Sequence, residues 1–154
     1  MIRWSTKTRD PASYAIAVVL IHFAVSVLHG IAHRQLSITL TGAQEIFVGV
    51  VVVALPLVAA YMLWKGDRRN GGALLTASMA SAFVFGVYFH FILRGPDHVG
   101  HPLAPGGGSD LFDETAFELA GLELLEVFLG LGLVIKSFMP GVGVASARSR
   151  KLHH

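Results

Sequence analysis

His22, Ser26, His29 and His33 fall at i, i+4, i+7 and i+11 within the run HFAVSVLHGIAHRQL, residues 22–36. At 3.6 residues per turn this spacing draws one narrow stripe down a helix. Val18, Val19, Leu20, Val25 and Val27 fill much of the remaining surface. A helix apolar nearly all round lies in lipid or in a large core, and a polar stripe on it faces other protein. Imidazole is a neutral nitrogen ligand and a proton carrier near pH 7. The His29/His33 pair, one turn apart, has the HxxxH spacing that chelates one ion from one helix.

His90 stands near the end of another apolar segment, in VYFHFILRG, while Glu45 opens the second and Glu114 and Glu118 open the last. Joined by His90 and a carboxylate, His29 and His33 make an N/O site of the zinc, copper or iron type. Glu118 is the first candidate for that carboxylate, and Glu45 is a further one. The two halves repeat weakly: each ends in a His close to an Arg (His33-Arg34, His90 with Arg94) and re-enters with a carboxylate (Glu45, Glu118). The connection GPDHVGHPLAPGGGSD, residues 95–110, adds His98 and His101, which either fold over the site or stay solvated. Asp97 beside His98 reads as a carboxylate–histidine pair.

A deeper level holds His22, Glu123 and Glu126, with His22 and Glu126 matched in depth. Ionised carboxylates at the centre of a membrane must pair, take up protons or line a wet path. These three are therefore candidates for a proton path toward the outer site, or for a polar clamp between helices. Two rivals to the bare ion follow from the same residues. A b-type haem would take His29 or His33 with His90 as axial ligands, with Gly30 and Gly86 leaving room; the crowding carboxylates favour a bare ion. Alternatively the stripe does no chemistry and either hydrogen-bonds the bundle together or docks a partner, making the chain a subunit or assembly factor of a larger membrane complex, or a homo-oligomer.

The elements that must position these groups follow from composition. The 154 residues are 53% hydrophobic and 14% charged, with mean hydropathy +0.61, against about 25% charged in soluble domains. That is the composition of a membrane protein embedded in the lipid bilayer, with room for about four spans of roughly 20 residues. The expected fold is all-α, a four-helix up-down-up-down transmembrane bundle occupying residues 1–138 as one domain. Its spans are expected at about 12–33, 43–65, 73–94 and 111–138. Pro56 predicts a kink in the second. GDRRNGG, residues 66–72, predicts a turn, and Ala77, Ser78, Ala80, Ser81, Ala82 and Gly86 predict close helix packing in the third.

Ten of the twelve Lys and Arg lie in three groups: Arg3, Lys7 and Arg9; Lys65, Arg68 and Arg69; Lys136, Arg148, Arg150 and Lys151. They flank apolar segments on alternate turns of the chain, the positive-inside pattern. Both termini are therefore expected on the cytoplasmic side of the cell membrane, with the histidine site facing outward, toward the periplasm or exterior. The same placement argues against a nucleic-acid partner despite a pI near 9.2, because no basic groove with stacking aromatics is formed. The basic start also resembles a signal peptide, but its apolar run is long, no small-x-small cleavage site follows, and cleavage would cut the histidine stripe. Residues 139–154 lack periodicity and are expected to be a disordered tail, and KLHH reads equally as native or as a vector scar before a tag.

Absent cysteine excludes disulfides, thiolate-bound zinc, iron–sulfur clusters and thiol catalysis. No GxSxG elbow, P-loop or dinucleotide fingerprint is present. The sequence thus predicts a membrane metalloprotein, of oxidoreductase type, with its His/carboxylate site at the outer end.

Overall fold

A computed structural model of the chain describes residues 10–101 and 108–139. The basic leader through Arg9, the 102–107 stretch and the tail from 140, with Arg148, Arg150, Lys151, His153 and His154, lie outside the described residues. Everything regular among the described residues is helical, with no strand. Three helices are long and apolar enough to cross a membrane: α1 (Pro11–Gln35), α2 (Gly42–Trp64) and α3 (Arg68–Ile92). At 1.5 Å per residue each spans roughly 35–38 Å, more than the ~30 Å hydrocarbon core. A fourth helix, α4 (Gly108–Phe138), is the longest; Glu118, Glu123, Glu126 and Lys136 interrupt its apolar run.

Local chemistry sets the helix starts. Asp10 caps α1, its Oδ1 accepting from Ala12 N at 3.2 Å, and Pro11 occupies the first turn, where its missing N–H costs nothing. Thr41 caps α2. Its hydroxyl accepts from Gln44 N at 3.3 Å while Gln44 Oε1 accepts from Thr41 N at 2.8 Å, a reciprocal capping box.

The expected turn at GDRRNGG is shorter than its glycines imply. Asp67 caps α3, with Oδ1 accepting from Asn70 N at 3.1 Å, so Arg68 onward is already helix. Gly71 and Gly72 are interior packing residues instead. A Cβ on Gly72 would lie 2.8 Å from Gly130 O, and one on Gly130 would lie 2.5 Å from Thr76 Oγ1. Backbones this close are how helices associate where lipid removes the hydrophobic driving force.

At Pro56, where a kink is expected, the helix changes its winding. Val48–Ala54, just before it, forms π-helical turns and Pro56 sits in the first turn of the α-helical remainder, Leu55–Trp64. The wider turn accommodates a ring that cannot donate to a preceding carbonyl. A second π-helical turn, Tyr88–Ile92, ends α3 and contains His90.

The interior is built largely of small side chains. Ala12, Ala15, Ala59, Ala60 and Ala82 pack with Val19, Val52, Leu63, Leu75, Met79 and Leu133. Large apolar residues point outward instead, among them Leu20, Val27, Ile46, Val84, Phe117 and Phe128. A soluble monomer rarely exposes apolar surface on this scale; in a bilayer it is the lipid contact. The histidine stripe of α1 is part of its buried face: Ala12, Ala15, Val19, His22, His29 and Ala32 are all buried.

Charge separates by end. At one end Arg68 Nη2 meets Asp10 Oδ2 at 2.6 Å, the Arg69 guanidinium lies 4.6 Å from the Phe138 ring centre, and Lys65 sits over Trp64. At the other end lie His29, His33, His90 and the Leu93–His101 loop.

Candidate metal centre

Two turns of α1 and the π-helical turn of α3 converge at the loop-bearing end. One nitrogen from each of His29, His33 and His90 lies within 4.8 Å of the other two. His33 Nε2 and His29 Nε2 are 3.2 Å apart. Two nitrogens on one tetrahedral ion at about 2.0–2.1 Å each are roughly 3.3 Å apart, so this pair already has the spacing of a chelate. The three rings contact edge to face, with centroids 4.8 Å apart for His29–His33 and 4.9 Å for His29–His90.

The surroundings determine which nitrogens are free. Thr115 Oγ1 donates to Leu111 O at 2.6 Å, leaving it only lone pairs for His29 Nδ1 at 2.8 Å. His29 must therefore donate from Nδ1, and its Nε2 carries the lone pair. His90 Nδ1 lies 2.9 Å from the Asp97 carbonyl, which can only accept. Its Nε2 is likewise left as a lone pair. Holding one imidazole nitrogen by an acceptor so that the other can bind metal is the usual support for a histidine ligand. Phe112 stacks on His29 at 4.9 Å and closes the site beneath it.

The carboxylate at the centre is Asp97. Its Oδ1 stands 3.2 Å from His33 Nε2 and 3.4 Å from His90 Nδ1, without hydrogen-bond geometry to any partner. The loop reaches this position because it folds back onto His90: Val99 N donates to His90 O at 2.9 Å while His90 Nδ1 donates to Asp97 O. On the α1 side Ser37, at φ 54°, turns the chain so that Ile38 N donates to His33 O at 2.9 Å.

The other sequence candidates occupy different places. Glu118 is exposed on α4, outside the cavity lining formed by Ala116, Leu119 and Ala120. Glu45 is also exposed, but with Arg34 it borders that cavity. His98 Nδ1 donates to Val99 O at 2.6 Å, so the neighbouring Asp97 and His98 are not paired; His101 is exposed. The weak repeat brings His33 and His90 together, at 6.1 Å between ring centres, while its two carboxylates stay on the surface.

A cavity of ≈ 420 Å³ runs from the triad into the helices, lined by His29, His33, His90, Phe85, Gly86 and Glu123 among others. That volume is in the range of small-molecule pockets. At its inner limit His22 lies between Glu123 and Glu126, at 3.8 Å and 3.9 Å. Depth matching had paired His22 with Glu126; the fold supplies Glu123 as well.

Sequence reasoning missed Thr115, Phe112 and the role of Asp97. The first two had a signal: Phe112, Thr115, Leu119, Glu123, Glu126, Gly130 and Leu133 lie on the buried face of α4 at steps of three or four residues. Asp97 had none, since a loop's return path leaves no periodic trace.

Comparison with family models, curated proteins and solved structures returns no match.

Proposed function

We propose that the chain is an integral membrane metal-binding protein in which His29, His33 and His90 hold one ion, with Asp97 as the adjoining carboxylate. One observation carries this reading: three imidazole nitrogens converge within 4.8 Å while acceptors tie the Nδ1 of both His29 and His90. Buried histidines serving only as helix glue would spend their nitrogens on partners across helices. Here the Nε2 atoms of His29 and His33 instead meet each other on one helix, 3.2 Å apart. The N/O donor set suits zinc, copper or iron.

A bare ion fits better than haem. A porphyrin ligated from both sides needs a flat slot between its axial imidazoles, whereas these rings touch one another at 4.8–4.9 Å. The reading as a docking subunit is disfavoured because the polar stripe is already buried against α4, with His22 at 1% and His29 at 8% exposure. An ion held by three imidazoles keeps a position open for a small molecule, and the adjoining cavity supplies the route. That is the arrangement a small membrane oxidoreductase would use.

The reading extends to topology. α4 would be a fourth span in an up-down-up-down bundle, its carboxylates Glu123 and Glu126 turned inward toward His22. The end carrying Lys65, Arg68, Arg69 and Lys136 would face the cytoplasm and the histidine end the outside, by the positive-inside rule.

Elemental analysis of detergent-purified protein, with a visible spectrum, tests the central point. The expected result is one equivalent of zinc, copper or iron and no Soret band. Protein that binds none of the three after each has been offered in excess would overturn it.

A further inference from the structure

Glu126 is the least expected side chain in the fold. It is fully buried, at 0% exposure, and neither of its oxygens has a hydrogen-bond partner. His22, 1% exposed, presents Nδ1 to Glu126 Oε2 at 3.9 Å and Nε2 to Glu123 Oε1 at 3.8 Å. That Nε2 is also unpartnered. An ionised carboxylate without a donor, far from water, is heavily disfavoured. The three side chains stand in one row, each within 4 Å of the next, close enough to hand a proton along.

Among the described residues the group opens toward the histidine cavity. Toward the basic end lie Ala15, Val19, Leu75, Met79 and Leu133 of the main core cluster, none of them ionisable. Toward the histidine end, Glu123 lines the cavity that also holds His29, His33 and His90. Gly86 lies at that junction: a Cβ there would lie 3.6 Å from Glu123 Oε2 and 3.9 Å from His90 Cδ2, room for a methyl group but not for a larger side chain. Ser78, Val52 and Ala82 from the neighbouring helices add no titratable group.

We propose that His22, Glu123 and Glu126 form a proton-holding centre, with Glu126 as the neutral acid at its closed end, that exchanges protons only with the histidine cavity. In transfer, the Glu126 O–H proton passes to His22 Nδ1 as the Nε2 proton leaves for the Glu123 carboxylate. A base or water in the cavity then takes it from Glu123, and the reverse sequence reloads Glu126. Imidazole suits the middle position because its two nitrogens can gain and lose protons on opposite edges. A small side-chain rotation closes the 3.8 Å and 3.9 Å separations. The centre does not depend on a metal at the triad.

Infrared spectroscopy of the purified full chain at neutral pH tests this, in H2O and after transfer to D2O. The expected spectrum has the C=O stretch of a protonated carboxylic acid, lost in Glu126→Gln and kept in Glu114→Gln and Glu118→Gln, which alter exposed groups. A wild-type spectrum without that stretch, or its survival in E126Q, would overturn the proposal. The route is read from the deuterium shift of the same band. Gly86→Ala, which fits the gap, is expected to exchange like wild type, and Gly86→Leu, which fills it, to exchange more slowly. Glu123→Gln gives the same readout without added bulk: the Glu126 band stays and its exchange slows. Wild-type exchange in both G86L and E123Q would overturn the cavity as the path. Metal content measured on the same samples is expected to be unchanged in E126Q, so failure at the triad and failure at this centre give different results.

Discussion

The Nδ1 of His29 lies 2.8 Å from Thr115 Oγ1, and this contact decides which edge of the ring can bind metal. Thr115 commits its only proton to the main chain of α4, so it accepts from His29 and leaves the Nε2 lone pair facing His33 Nε2, 3.2 Å away. A histidine on α1 is thus set in its ligating form by a hydroxyl on α4. Replacing Thr115 with Val keeps the shape but strands the buried Nδ1 proton. Metal affinity is expected to fall roughly 10–100-fold, the usual loss when a histidine ligand's supporting partner is removed. Thr115→Ser retains the hydroxyl and should stay near wild type. Chelator-competition titration of the two variants measures the difference; equal affinities would separate Thr115 from the site.

Two carboxylates compete for the position beside the imidazoles. Glu118 was favoured by sequence, and Asp97 stands 3.2 Å from His33. Asp97→Asn is expected to weaken metal binding about 10–100-fold, and Glu118→Gln to leave it unchanged because that side chain is exposed. H29A, H33A and H90A should each abolish stoichiometric binding. Metal content of the purified variants decides; a loss in E118Q with retention in D97N would restore the sequence assignment.

The contrast shows what a sequence can carry. The stripe His22–Ser26–His29–His33 was legible because helical periodicity and an apolar background leave it one place to go, inward. The apolar segments that become α1, α2 and α3 were legible for the same reason. Glu118 was chosen for its depth and side alone, and depth does not fix rotation about the helix axis. Phe112, Thr115, Glu123 and Glu126 share the buried face of α4, and Glu118 lies off it. That phase could have been counted from the sequence. The fold-back of Asp97 onto His90 could not, because it depends on a π-helical turn and a loop whose shape is set by the residues it covers. Gly71 and Gly72 misled in the opposite way: paired glycines suit turns and close helix contacts equally well, and only the partner Gly130 tells them apart.

Helix contact energetics give a paired test. A Cβ on Gly130 would come within 2.7 Å of Gly72 O, a backbone atom that cannot move aside cheaply. A Cβ on Gly132, two residues on, would meet nothing within 4 Å. Gly130→Ala is expected to destabilise the fold by about 1–3 kcal/mol, the usual range for overpacking, and Gly132→Ala to leave it unaffected or slightly more stable. Thermal unfolding in one detergent compares them. Equal behaviour would mean that α3 and α4 do not cross at this point.

Acidification should release the ion. Imidazole ligates only when neutral, so every ligand lost to a proton is lost to the metal. Lowering the pH from about 7 to about 5 raises the proton concentration about a hundredfold against a fixed free-metal concentration, and each imidazole that takes a proton leaves the ion. Occupancy is therefore expected to be high at neutral pH and to drop as pH falls, recovering on return. Equilibrium dialysis against a fixed free-metal concentration, followed by metal analysis, traces the curve. A flat profile across that interval would count against three-histidine ligation.

The topology can be tested without disturbing either centre. The chain has no cysteine, so any introduced thiol is the only one present. Lys65 and Arg94 are both exposed and lie next to opposite ends of the apolar helices. Lys65 belongs to the basic end that the positive-inside rule assigns to the cytoplasm, and Arg94 to the loop above the histidines. With intact cells and a membrane-impermeant thiol reagent, Arg94→Cys is expected to be labelled and Lys65→Cys protected until the membrane is permeabilised. The reverse pattern would turn the metal centre to face the cytoplasm. Labelling of both in sealed cells would show that these positions do not lie on opposite sides of a membrane.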